Sequence, residues 1–222
     1  MATKEILCLA FSRREGGHCF AGIELASGAW VRPVNGSNQG ALHYYQCLAT
    51  DADEHAREPR VLDIVQMDLL SPSPKLGQPE NWLVGNEPWR LIGRAASADL
   101  LRHVTDDLEL FRGYDRFVPV AEVESRPPRE SLRLVSPENL NWFAELKYGK
   151  RRFRGRFSVS GCSYDLPLTD EAYEKELTDI ELYKSRPQNP AEPVFLALSL
   201  SDVWAEQMRH YKLIAGVIVR EK

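Results

Sequence analysis

Long apolar runs are missing from this sequence, and so is any clustering of cysteine with histidine. No stretch reaches the ~18–20 consecutive apolar residues of a membrane-spanning helix, so no membrane span is expected. The four cysteines, Cys8, Cys19, Cys47 and Cys162, are scattered and contain no Cys-x-x-Cys pair. Structural zinc needs close ligand pairs, and the neighbours His18 and Cys19 would point to opposite faces of a strand. No metal and no cofactor is therefore expected, and reduced thiols suit the cytoplasm. Also absent are a Gly-x-Ser-x-Gly elbow, a Walker loop, a dinucleotide fingerprint and His-Glu-x-x-His, which leaves no catalytic residue to name. The first apolar stretch runs only from Ile6 to Phe11 and lacks a small-residue cleavage pattern, so it reads as a strand and not as a signal peptide.

What is present is ordinary globular composition with an uneven charge. At 222 residues, 43% of them hydrophobic, the chain can bury roughly 70% of its unfolded surface without staples. It carries 28 Lys and Arg against 32 Asp and Glu. Six of those cations fall in Lys147–Arg156, within KYGKRRFRGRFSV, where no acid intervenes; only 22 serve the rest of the chain. An acidic stretch follows from Asp165 to Glu181, with seven carboxylates against Lys175. Asymmetry of this kind points to a local electrostatic site rather than a globally basic binder.

The pattern along the chain is mainly β with short helices. Ile6–Phe11, His18–Leu25 and Ala29–Val34 are three short strands joined by polar turns, a meander. Val61–Leu69 changes apolar phase midway, from Leu62 and Ile64 to Val65, Met67 and Leu69, which predicts a β-bulge. Short helical pieces are expected over 97–113, and Glu122–Glu130, with paired prolines, is the best linker. We accordingly expect two units, 1–125 and 126–222. In the second, strands are expected at 131–135, 142–148, 151–159, 162–168, 194–200 and 211–220. A turn or helix is expected at 136–138, and short helices over 169–177, begun by Asp170, and over 202–208. Each half suits a small β-barrel, of which the five-stranded oligonucleotide-binding (OB) barrel is one form; periodicity does not separate it from other small barrels.

On a strand, Phe153, Phe157 and Val159 would face one way and Arg152, Arg154 and Arg156 the other, with guanidiniums at a spacing of roughly 6.5–7 Å. That resembles the phosphate spacing of a flexible single strand, and arginine both forks onto phosphate and stacks on bases. The expectation is a nucleic-acid grip, single-stranded or RNA, in which no carboxylate offsets the ladder locally; the other reading is a plain solvated or partner-paired face, with Asp165 or Asp170 of the acidic segment neutralising the arginines. Lys150, Arg13, Arg14 and Arg32 would assist it, with Tyr148 and Trp30 as stacking candidates; Trp30 reads more readily as core. Gln78, Glu80 and Asn81 either read base edges or close their loop. The rival readings are a protein-interaction module or homodimer using the basic strand, a nucleotide or modified-base sensor, and a metal-dependent nuclease through Glu145-x-Lys147 with Asp115 as a further ligand.

The segments ILCLAFSRREGGHCFAGIELASGAWVRPVN, VLDIVQMDL, QPENW, FRGRFSVSGCSYDLPLTD and HYKLIAGVIV together resemble the bacterial dual-OB domain family. The resemblance spans nearly the whole chain. It implies two OB-like barrels in tandem and a nucleic-acid-binding role, in a prokaryotic defence or nucleic-acid-processing setting, and it carries over no catalytic residue.

Overall fold

The computed structural model describes residues 2–14, 17–36, 39–111, 113 and 115–221, with the side chains of Arg13 and Arg14 lying outside the described residues. The first half contains β1 (Ala2–Arg14), β2 (Gly17–Glu24), β3 (Trp30–Val34), β4 (Ala49–Thr50), β5 (Ala56–Arg57), β6 (Asp63–Pro72), β7 (Asn81–Val84) and β8 (Trp89–Arg94). Order β1-β2-β3-β7-β6 returns to β1 through a β1–β6 ladder, closing a five-stranded barrel. The expected meander is its first three strands. The expected bulge is also present: β6 shifts register against β8 between Ile64 and Val65, where the apolar phase changes. Short 3-10 turns occupy Ser97–His103 and Glu109–Phe111.

The second half contains β9 (Phe117–Pro119), α1 (Val120–Ser125), β10 (Leu132–Val135), β11 (Glu138–Lys147), β12 (Lys150–Val159) and β13 (Cys162–Pro167). It continues with α2 (Glu171–Lys175), β14 (Ser185–Pro187), β15 (Val194–Trp204) and β16 (Arg209–Val219). These strands form two sheets, β10-β15-β16-β9 and β13-β12-β11-β14. Three expectations need adjusting. No helix spans 202–208: β15 runs to Trp204, a three-residue 3-10 turn follows, and Met208 at φ 48° reverses the chain so that Trp204 pairs with Arg209. β11 already begins at Glu138, where a turn was expected. And β9, which precedes the paired prolines, pairs with β16 of the second half.

β1 explains how the halves are joined. Its run Ile6-Leu7-Cys8-Leu9 is apolar at every position because both faces are covered. Ile6 and Cys8 enter the first barrel's core with Phe20, Val65 and Trp89. Leu7 and Leu9 join Trp30, Leu132, Leu134, Phe195 and Ile218 in a seam core that draws on both halves. The strands approach so closely there that a Cβ on Gly216 would sit 2.0 Å from the Leu9 carbonyl oxygen. A third core lies between the two sheets of the second half, around Trp142, Phe153, Phe157, Leu198 and Ile214. Asp170 does begin α2: its Oδ1 accepts from the Ala172 and Tyr173 amides, its Oδ2 from Val217 N, and burial pushes its carboxyl pKa up. No helix among the described residues is long and apolar enough to cross a membrane.

Candidate functional site

The basic stretch folds as the β11–β12 hairpin. Tyr148 and Gly149 both take positive φ, 53° and 70°, the geometry of the two-residue turns that match strand twist. The turn sets the register, Lys147 opposite Lys150, Glu145 opposite Arg152 and Phe143 opposite Arg154. The expected alternation holds inward, where Phe153, Phe157 and Val159 are buried.

Outward, the expectation of an unanswered arginine ladder is overturned. β12 is flanked on both sides, and its neighbours supply carboxylates. Asp165, opposite Arg156 on β13, accepts from Arg154 Nη1 at 2.8 and 3.0 Å and from Arg156 Nε at 3.2 Å. It also takes Arg116 Nη2 at 2.8 Å. Glu145 Oε2 lies 3.1 Å from Arg154 Nε, and both guanidiniums stand over the Phe143 ring. Arg154 is left 6% exposed, a cation that fastens three strands together. Arg154→Lys, which cannot fork between two carboxylates, is expected to cost about 1–3 kcal/mol in thermal or urea unfolding.

The cations that remain open are at the hairpin tip. Lys147, Lys150, Arg151 and Arg152 are all exposed. Among the described residues none of the four has a carboxylate within ion-pair distance, 4.0 Å. Lys147 Nζ stands 5.6 Å from the Tyr148 ring centroid, and Tyr148 itself is 93% exposed. Of the residues expected to act, the structure thus brings Tyr148, Lys150 and Arg152 together.

Two others lie in the join between the halves. Trp30 is buried in the seam core, which removes it as a stacking platform. Arg32 reaches across the seam, donating through Nη2 to Ser131 Oγ (3.0 Å) and Ser199 Oγ (3.1 Å), with Glu80 Oε1 at 3.1 Å. Glu80 is buried and accepts from the Ser131 amide and hydroxyl, at 3.0 and 2.5 Å. Gln78 Nε2 donates to the Leu200 carbonyl and its Oε1 accepts from Asn81. The QPENW loop therefore closes on the second half. Arg13 and Arg14 are at the end of β1, and their side chains lie outside the described residues.

Beside the hairpin tip, the seam opens into a cleft of about 490 Å³. Ala10, Ser12 and Ala21 of the first half form one side, Leu213 and Ala215 of β16 the other, and Lys147, Tyr148, Trp204 and Tyr211 reach its lining. Trp204 is 53% exposed and meets the half-buried Tyr211 edge-on, ring centroids 6.4 Å apart.

A closed five-stranded barrel followed by a half-barrel of two sheets, consistent with tandem OB-like barrels, is the arrangement of the described residues, and the dual OB-containing domain family matches residues 4–217. The chain belongs to that family. No curated protein and no solved structure matches it.

The sequence reading of this dual OB-containing protein missed Trp204 and Tyr211. The signal was an aromatic lying past the end of the apolar run VFLALSL and after the polar Ser201-Asp202, hidden by the helix expected there. The nuclease pattern fares differently. Glu145 is committed to Arg154, and among the described residues the one group of three potential metal ligands is Asp51, Asp53 and His55, elsewhere in the first half. Asp51 already accepts there from the Asp53 and His55 amides. Asp115 instead acts on Lys212, a buried lysine that donates to the Phe111 carbonyl and whose pKa burial pulls down.

Proposed function

We propose that this dual OB-containing protein binds single-stranded nucleic acid, RNA or DNA, along the tip of the β11–β12 hairpin and over the mouth of the adjoining cleft. One observation carries this reading: four exposed cations within six residues, none with a carboxylate within 4.0 Å among the described residues, surround an almost fully exposed tyrosine. Cations that track a backbone, beside aromatic faces that take bases, are the means by which OB barrels hold single strands. A chain of net charge −4 presents such a site as a local feature, so binding is expected to be salt-sensitive. The free thiols suit a cytoplasmic setting.

Filter binding of single-stranded and duplex RNA and DNA at several salt concentrations tests the reading. A single strand is expected to bind with log K falling by roughly 0.7 per log unit of salt for each phosphate neutralised, or about 3 for the four tip cations. Absence of binding at low salt, or binding indifferent to salt, would remove it.

A further inference from the structure

We infer that the seam cleft is a pocket for one unpaired nucleobase, taken in by Tyr148 and Trp204 while the hairpin tip holds the neighbouring phosphates. The inference rests on the reading of the tip as a nucleic-acid grip. It places the base-binding pocket between the two barrels, where neither half alone could form it.

Four observations converge on the cleft. Its size, about 490 Å³, falls inside the roughly 300–1,000 Å³ range of small-ligand sites. Its walls are mostly apolar, with Arg32, Gln78 and Asp202 also in the lining, and small side chains, Ala10 and Ala21 of the first half and Ala215 of β16, leave it room. Its rim carries the exposed rings of Tyr148 and Trp204, π-faces suited to any base. And its lining includes Ser12, whose hydroxyl can donate to or accept from a polar base edge.

The occupant must therefore be flat and largely apolar, carry a polar edge, and trail negative charge toward Lys147, Lys150 and Arg151. A nucleotide within a single strand meets all three conditions. A base held in a duplex does not, because its edge is already paired and its faces are stacked. On this account the cleft gives preference for single strands, and the tip gives affinity without sequence.

The test is fluorescence anisotropy with short single-stranded oligonucleotides in which one residue at a time is made abasic, keeping every phosphate. Wild-type protein is expected to lose about 5- to 100-fold in affinity when the base that enters the cleft is removed, and little at other positions. In Trp204→Ala that same abasic change is expected to cost almost nothing further. Tyr148→Ala, at a fully solvated turn, serves as the second variant should Trp204→Ala fold poorly. Equal affinity for intact and abasic strands at every position, with salt sensitivity retained, would overturn the pocket and leave the grip standing. Abasic sensitivity unchanged in both variants would overturn it too, since the base would be held elsewhere. Failure of every oligonucleotide to bind would overturn pocket and grip together.

Discussion

Arg32→Met is expected to lower the stability of the protein by about 3–5 kcal/mol, the cost of leaving a buried carboxylate without its counter-ion. The carboxylate is Glu80, 6% exposed, which would keep only Ser131 as a partner. Arg32 also serves Ser199 and the Leu200 carbonyl, so its loss loosens two segments of the second half at once, at Ser131 and at Ser199-Leu200. For a chain of this size each kcal/mol moves the melting temperature by about 2–4 °C, so a fall of about 6–20 °C is expected by calorimetry. Adding Glu80→Gln removes the stranded charge and should recover part of the loss, a non-additivity that marks a coupled pair. Were Arg32 a ligand contact and not a bolt across the seam, Arg32→Met would change affinity and leave the melt unmoved.

Replacing Lys147, Lys150, Arg151 and Arg152 together by glutamate is expected to weaken single-strand binding by more than about a hundredfold. Four attractions are lost and four repulsions added, and like charges facing one another cost several kcal/mol. The melting temperature should hardly change, because exposed substitutions of this kind usually stay within about 0.5 kcal/mol each. The contrast with the ladder is instructive. Reversing Arg152, Arg154 and Arg156 would set a buried glutamate at position 154 against Asp165 and Glu145, and binding would be lost because the sheet is lost. Anisotropy and thermal melts on the same preparations separate the two cases. Unchanged affinity in the tip variant would show that nucleic acid does not touch the hairpin.

Features written in local pattern were legible in the sequence. The alternation of β12, the phase change in β6 and the double-sided apolar run of β1 each follow from neighbours two residues apart. What escaped depends on partners far along the chain. Asp165 was legible as a rival partner for the arginines, and the Ser160-Gly161 turn, at φ 47° and 77°, sets it against Arg154 and Arg156 by fixing the register of β12 on β13; Arg116, which arrives from 49 residues away, was not legible. Trp30 and Arg32, two residues apart on β3, share a side, but nothing local says that the second half covers that side. The basic run was legible as a site, whereas its division into a sealed ladder and an open tip was not, because burial is decided by the flanking strands. Trp204 escaped for a related reason: β15 and β16 hold each other extended past the point where local propensity suggests a helix.

Ultraviolet cross-linking of a labelled single strand to the wild-type protein, with peptide mapping of the adducts, tests the account most directly. Adducts are expected on the peptides that carry Tyr148 and Trp204, both of which line the one cleft. Adducts confined to other surfaces, such as the Asp51–Arg57 turn or the exposed face of β8, would contradict it.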